Sequence, residues 1–445
     1  MFKQINNHLF LPISISITCL FYACSNSDYV NIANTNDNTN KNTSTEISSS
    51  GTTSYIPLDD TEYPYAGIPR FVIETENLRQ IRDRETEIPA KMQIYGAQAP
   101  ESEIMDLTIR GRGNTSWTDM PKKSYKIEFD NKQALLGMPK DRDWTLIANY
   151  ADKTLMKNYL MYHLSTKLGA YYSPRCAFVE LFLNKEYLGV YLLTEKIKIS
   201  KNRINIPQNN DSYVIEFDSK IRNDEQAIHS SILSTNSKDK IYRIHEPRNA
   251  NQATLNKIEN QITSFEKYLK GIRPQANNNI NNWIDINEYI IHYWLQEFSK
   301  NPDAAFLTSV FFTWQNDSVI KMGPAWDFDL AIGGHNSKSI NSVQDWYLKD
   351  SYWNKYVFSD SVMVLARIQY WLENRTSFIS TIDVADSIQN LLENASKNNF
   401  KKWNILESTE YSCHLHSYKT YKEAVNDLKT WIKDRISWID LHLNE

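Results

Sequence analysis

Three aspartates flank an apolar stretch between residues 300 and 330. Asp303 lies in a short loop after Lys300-Asn301-Pro302, and Asp327 and Asp329 stand in the run Trp-Asp-Phe-Asp. Carboxylates in apolar surroundings cost free energy unless they are paired or bind a metal ion. Phosphoryl transfer needs one aspartate that orients the attacking hydroxyl and a second that holds Mg²⁺ on the ATP phosphates. The ordered set therefore predicts a phosphoryl-transfer site, although each aspartate alone is better explained as a loop residue.

The elements around these aspartates would fix their positions. An apolar helix predicted over residues 283–298 leads into Asp303. Residues 309–314 and 318–322 are predicted to form a hairpin, because apolar, β-branched and aromatic residues flank a polar turn. Asp327 and Asp329 follow this hairpin directly. Such catalysis depends on positioning and charge neutralisation, so rigid elements on both sides favour the prediction.

The first half of the chain is rich in predicted strands, and the second half in helices. Residues 123–129 alternate as a strand, and residues 176–183 and 187–193 form a predicted hairpin. An amphipathic helix is predicted over residues 152–168, and residues 218–241 are predicted to be a polar loop. Strands followed by helices predict an α+β fold in two lobes.

Residues 110–117, Arg-Gly-Arg-Gly-Asn-Thr-Ser-Trp, form a glycine-punctuated loop between two predicted strands. Glycine lets a backbone approach phosphates, and arginine supplies a forked donor for them. A tight turn without a ligand explains the same residues equally well. The loop is not a P-loop, because the Lys-Ser/Thr ending is missing.

Charge and cysteine spacing argue against a nucleic-acid-binding protein and against a cysteine-ligated metal site. The chain has 445 residues with a formal net charge of -4, which gives no reason to expect a nucleic-acid partner. Its four cysteines show no spacing typical of metal ligands. Cys176 and Cys413 could pair in an oxidising compartment, and the sequence leaves this open.

The N-terminus predicts export and attachment to a membrane. Residues 1–23 read as a signal peptide that ends before Cys24, which would be lipidated as in bacterial lipoproteins. A simple cleaved signal with an incidental cysteine is the alternative. Residues 24–58 are rich in Asn, Ser and Thr and predict a disordered tether. We therefore expect a lipoprotein of the cell envelope, on the outer membrane or cell surface.

Eight blocks of sequence between about Arg110 and Leu441 resemble the spore-coat protein H (CotH) kinase family. They are RGRGNTSW, KKSYKIEF, LLGMPKDRDW, LIANYADKTLMKNYL, YLGVYLLTEKIK, NRINI, EFSKNPDA and MGPAWDFDLAIG. The resemblance implies an atypical two-lobed protein-kinase-like fold over residues 110–445, with an N-lobe at about 110–217 and a C-lobe at about 250–445. Residues 59–109 would be an N-terminal β extension.

The resemblance also implies ATP and Mg²⁺ as cofactors and a protein hydroxyl as the phosphate acceptor. Asp303 matches the catalytic-loop aspartate of the family and Asp327 its metal-binding aspartate, with Asp329 as a second ligand or orienting group. The expected nucleotide contacts are Arg112 and Lys126 for the phosphates and Thr194, Glu195 and Lys196 for the adenine edge. The chain departs from ordinary protein kinases, since no His-Arg precedes Asp303 and the predicted helix over residues 152–168 has no glutamate.

Two other functions remain open from the sequence. An exported protein meets little ATP, so the chain could be a non-catalytic envelope scaffold with a kinase-like fold. A glycoside hydrolase that uses Asp327 and Asp329 is disfavoured, because hydrolases usually place their two acids on separate elements.

Overall fold

The structure is a computed structural model that describes residues 55–221, 225–234, 238–272, 279–316 and 318–445. The predicted signal peptide, Cys24 and most of the predicted tether lie outside the described residues. The predicted domain boundaries remain predictions.

Seven strands of the N-terminal half close into a barrel in the order β1-β2-β3-β4-β5-β7-β6. The strands are β1 Arg70–Thr75, β2 Ile88–Tyr95, β3 Met105–Arg112, β4 Ser124–Gln133, β5 Asp141–Ile147, β6 Cys176–Leu183 and β7 Glu186–Glu195. Neighbours pair antiparallel except β1 and β6, whose parallel pairing closes the barrel. Successive side chains of a strand point to opposite faces of the barrel wall. Ile127 of β4 is therefore buried in the barrel core, whereas Lys126 lies on the outer face.

A second sheet of five strands has the order β12-β11-β8-β10-β9. Its strands are β8 Ser212–Phe217, β9 Ala227–Ser230, β10 Lys240–Glu246, β11 Val310–Gln315 and β12 Lys321–Met322. Every residue of β8 is buried, as expected for a central strand. The polar loop predicted over residues 218–241 is wrong, because β9 and the start of β10 fall within it.

Ten α-helices are found in the described ranges, most of them in the C-terminal half. They are α1 Thr115–Thr118, α2 Lys157–Lys167, α3 Gln252–Leu269, α4 Ile286–Ser299, α5 Lys338–Asn341, α6 Tyr352–Val357, α7 Ser361–Ile379, α8 Thr381–Leu391, α9 Glu393–Lys402 and α10 Tyr421–His442. Of these, α4 is buried over nearly its whole surface: it is rich in apolar residues, and its buried Glu297 pairs with Arg435. In the described part of the chain, no helix has both the length and the apolarity needed to cross a membrane.

The predicted two-lobed protein-kinase-like fold is wrong. Its N-lobe would be an open, strand-rich lobe, whereas the strands of the first half close a barrel. Its C-lobe would be helical, whereas the hairpin β11–β12 pairs with β8, a strand of the first half. The described residues from Tyr55 to Glu445 belong to one compact unit. An apolar run shows that a strand is buried, but not which strand it pairs with, so the sequence pattern missed both pairings.

Candidate active site

The first of the two acid-bearing loops begins at the end of α4. Lys300 ends the helix in a left-handed conformation (φ 44°), and its ammonium group donates to three backbone carbonyls of residues 339–344. Asn301 then caps a short 3₁₀ turn by accepting from the backbone N–H of Asp303 at 3.3 Å. The Asp303 side chain is therefore presented from a backbone that is held on both sides.

The second loop follows β12 and carries Asp327 in a left-handed conformation (φ 66°). The Ser309 hydroxyl donates to Oδ2 of Asp327 at 3.1 Å. The next backbone N–H, of Phe328, donates to Oδ1 of Asn158 in α2 at 2.8 Å. These bonds fix both the carboxylate and the backbone of this loop.

One buried amide joins the two loops. Nδ2 of Asn301 donates to the carbonyl oxygen of Asp327 and to Oε1 of Gln296, both at 3.0 Å. Because the Oδ1 atom of Asn301 caps Asp303, this side chain ties Asp303 and Asp327 to one another and to α4. Asn301 is 2% exposed, so water does not compete for these bonds.

The three predicted aspartates lie close enough for their charges to interact. Burial raises the pKa of Asp303 to about 7, and the charges of Asp327 and Asp218 add to this, while Lys220 opposes it. Burial also raises the pKa of Asp329 to about 8, and Asp327 and Asp303 contribute. Carboxylates that raise one another's pKa in this way attract a proton or a cation.

Cationic side chains surround the aspartates. Lys157 of α2 contacts the carbonyl oxygen of Asp329 at 3.5 Å. The Lys220 ammonium donates to the Thr115 hydroxyl at 3.3 Å, which brings the glycine-punctuated loop towards Asp303. Arg112, at the other end of that loop, lies 5.5 Å from the ring of Trp326, the residue before Asp327. Of the predicted nucleotide contacts, Arg112 is the one that lies beside the aspartates.

Two of the other four predicted nucleotide contacts, Lys126 and Lys196, belong to a separate network of charged side chains. Lys126 donates to Glu128 at 2.7 Å and to Glu87 at 3.1 Å. Lys196 lies 3.6 Å from Asp143. Burial alone would raise the pKa of Asp143, but Lys196, Lys198 and Lys126 together lower it to about 2.

Two of these four residues are engaged in strand β7. The buried Glu195 carboxylate accepts from Arg175 at 2.7 Å and lies 3.5 Å from Arg203. Thr194 pairs with β5 on one side and β6 on the other, and its hydroxyl donates to a backbone carbonyl. The structure does not bring Thr194 and Glu195 together with the aspartates.

A family model described as CotH kinase protein matches residues 109–439, which is most of the chain. The chain belongs to the CotH kinase family. Membership indicates a kinase-like function, and the matched region contains Arg112 and all three aspartates. A comparison with curated proteins found no match.

The carboxylate oxygens of this CotH family site are donors that suit Mg²⁺. Within the described residues, no three His, Cys, Asp or Glu side chains are arranged as a complete set of metal ligands. Mg²⁺ does not need such a set, since it usually binds one or two carboxylates together with substrate phosphates and water. Asp327 and Asp329 thus fit an ion that arrives with a nucleotide better than a permanently bound one.

Sequence reasoning missed several residues of the CotH family site. Asn158 and Lys157 of α2 and Ser309 before β11 contact the second loop, yet none was predicted to do so. The helix predicted over residues 152–168 is amphipathic and places Lys157 and Asn158 in its second turn, where polar residues are ordinary, so neither carried a signal. Ser309 carried none either, since serine is common where a loop meets a strand.

Proposed function

We propose that this CotH family member transfers the γ-phosphoryl group of ATP to a hydroxyl group of a protein, with Mg²⁺ as the metal. The observation that carries the proposal is the meeting of Asp303 and Asp327, from two loops, at one electrostatically coupled site. Membership of the CotH kinase family supports the same reaction class.

Asp303 is assigned the role of base. Its pKa of about 7 lies near neutral pH, where a carboxylate can both accept a proton and be regenerated. No hydrogen bond to its carboxylate is seen among the described residues, so the group is available to an incoming hydroxyl. Asp303 would orient that hydroxyl and accept its proton as the bond to phosphorus forms.

Asp327 and Asp329 are assigned to the metal. When bound, Mg²⁺ would neutralise charge on the phosphates of the nucleotide. Ser309 and Asn301 would hold Asp327 in place through their bonds to its carboxylate and its backbone. Arg112 would contact the phosphates, because it lies 5.5 Å from the ring of Trp326 in the second loop.

We also propose an exported protein as the substrate and attachment to the cell envelope through a lipid on Cys24. The supporting observation is the sequence of the first 58 residues, with its apolar run, its cysteine and its Asn- and Ser-rich continuation. Mass spectrometry of the mature protein tests this: a diacylglyceryl group on an N-terminal Cys24 is expected, and an unmodified cysteine would refute the attachment.

The proposed reaction is tested by transfer of labelled γ-phosphate from ATP to proteins of the cell envelope. Asp303→Asn and Asp327→Asn are each expected to reduce the rate at least about 100-fold, the range found for an acid–base group or an electrostatic contact. Asp434→Asn, on the exposed face of α10, is the matched control and keeps full activity. Nucleotide binding without transfer in the wild type would instead favour a non-catalytic scaffold.

A further inference from the structure

Lys157 is a buried cation with few contacts to the rest of the protein. It is the first residue of α2, and 6% of its surface is exposed. Its ammonium group has three N–H bonds, and the structure shows one contact for them, to the carbonyl oxygen of Asp329 at the long distance of 3.5 Å. No carboxylate in the described part of the chain lies close enough to form an ion pair with it. A buried ammonium group costs free energy unless an anion or further acceptors meet it.

The start of α2 is bonded to the protein on both sides of this side chain. The backbone N–H of Lys157 donates to Oδ2 of Asp152 at 2.9 Å. The next residue, Asn158, accepts at Oδ1 from the backbone N–H of Phe328 in the second acid-bearing loop, at 2.8 Å. The first turn of α2 and that loop are therefore held together, which fixes the position of Lys157 beside the loop.

Gly334 leaves the space that the ammonium group occupies. A β-carbon at this position would lie 2.3 Å from Nζ of Lys157, closer than two such atoms can approach. The φ angle of Gly334 lies outside the left-handed region, so its backbone does not itself require glycine. Both residues border a cavity of about 200 Å³, which gives a ligand room beside Nζ. The cavity also reaches Ile332, three residues beyond Asp329, and so belongs to the candidate active site.

A phosphate oxygen suits the unmet donors of this ammonium group. Three backbone carbonyls already hold the neighbouring ammonium of Lys153, at 2.6, 2.7 and 2.9 Å, whereas Lys157 has no such set among the described residues. A triphosphate brings more negative charge than one divalent cation neutralises, and a bond from lysine to phosphate is charge-assisted. Arg112 meets the same loop at Trp326, so the two cations approach it from two different elements.

The charges around Lys157 indicate which phosphate it meets. Lys157 opposes the upward shift in the pKa of Asp329, whereas Lys220 is the cation that opposes this shift for Asp303. Lys157 therefore lies on the metal side of the site and not beside the base. The transferred phosphoryl group must lie next to Asp303 in the proposed reaction, so a phosphate that remains on ADP is the one nearest to Lys157.

We infer that Lys157 binds the β-phosphate of the nucleotide. The inference rests on the proposed function, since it takes the nucleotide to be bound with Mg²⁺ at Asp327 and Asp329. Lys157 holds a group that is present before and after the transfer, so it contributes to the affinity for ADP as much as to the affinity for ATP. Gly334 keeps the ammonium group within reach of that phosphate.

Titration calorimetry of the full chain in Mg²⁺ tests the inference, with AMP, ADP and a non-hydrolysable ATP analogue as probes. Lys157→Met keeps a side chain of similar length and removes its charge. It is expected to weaken ADP and the ATP analogue equally, by about tenfold or more, because each loses a charge-assisted hydrogen bond. AMP has no β-phosphate, so its affinity should stay unchanged. Lys433→Met, at an exposed lysine of α10, is the control and should bind all three like the wild type.

Gly334→Ala tests the same contact with the charge still present. Its β-carbon displaces Nζ, which lies at the end of a flexible side chain and can move aside, so the fold should survive, with the melting temperature as the check. ADP should again bind about tenfold more weakly. Equal weakening of all three probes by Lys157→Met would indicate a structural role and overturn the inference. Unchanged ADP affinity in both variants would overturn it and leave the proposed function standing, whereas a wild type that binds no nucleotide would overturn both.

Discussion

Replacing Asp303 by asparagine should stabilise the metal-free protein while removing its activity. The carboxyl group has a pKa of about 7 in the folded protein against an ordinary value of 3.8. At about 1.36 kcal/mol per pH unit, this difference corresponds to about 4 kcal/mol of stability that the ionised carboxylate costs. The side chain is partly exposed, so solvent screening reduces the expected gain in Asp303→Asn to about 2 kcal/mol.

The pH dependence of this gain has a definite sign. The pKa of Asp303 is higher in the folded protein than in the unfolded chain. The protonated group therefore makes its full contribution to the stability of the wild type below about pH 3.8, and this contribution is lost as the pH rises through about 7. The asparagine variant has no group to titrate. Its advantage should therefore be negligible at pH 3.5, grow between pH 4 and 7, and stay constant above about pH 8.

Urea unfolding in the presence of a chelator, repeated between pH 3.5 and 8.5, measures this advantage. Asp434→Asn is the control, and its free energy of unfolding should stay within about 0.5 kcal/mol of the wild type at each pH. A variant less stable than the wild type at pH 8, or one with the same advantage at pH 3.5 as at pH 8, would show that burial and neighbouring carboxylates do not raise the pKa of Asp303.

Three further predictions concern the same region. Asn301→Ala should lower the free energy of unfolding by about 2–3 kcal/mol and slow phosphoryl transfer, because the backbone carbonyl of Asp327 loses its buried donor. Urea unfolding measures the first effect, and the transfer rate at saturating ATP measures the second. Unchanged values would show that Asn301 does not hold the two loops together. Arg435→Met should destabilise by about 3–5 kcal/mol, since Arg435 pairs with a buried Glu297 at 2.7 Å, whereas a change below about 1 kcal/mol would contradict this. Mn²⁺ must displace any proton from the aspartates that bind it. Its affinity, measured by calorimetry, should therefore fall about tenfold per pH unit below pH 7 for each displaced proton. An affinity that does not change with pH would count against metal binding at these aspartates.

Local patterns predicted local structure well. The hairpin over residues 176–193 is found as β6 and β7, because two apolar runs flank a tight turn at Asn184 and Lys185. The helix predicted from Asp152 begins at Lys157 instead, because the Asp152 carboxylate accepts backbone N–H groups of Thr154 and Lys157 and thereby holds a turn before the helix.

Non-local pairing accounts for most of what the sequence could not predict. The barrel closes where β1 pairs with β6, strands that stand roughly a hundred residues apart in sequence. Lys126 illustrates the same limit for the site. It was an expected phosphate contact on β4, but Glu87 before β2 and Glu128 on its own strand already pair with it. The two acid loops, in contrast, were predicted together because one short hairpin separates them.

The central claim is that two loops of this CotH family member bring their aspartates to one divalent cation and one triphosphate. A crystal structure with Mn²⁺ and a non-hydrolysable ATP analogue tests it most directly, since the anomalous signal locates the metal. The account predicts a Mn²⁺ peak in contact with the Asp327 carboxylate, with the terminal phosphate between that ion and Asp303. A nucleotide bound at the Lys126 network or in the cavity beside Lys157, with no metal at Asp327, would contradict it.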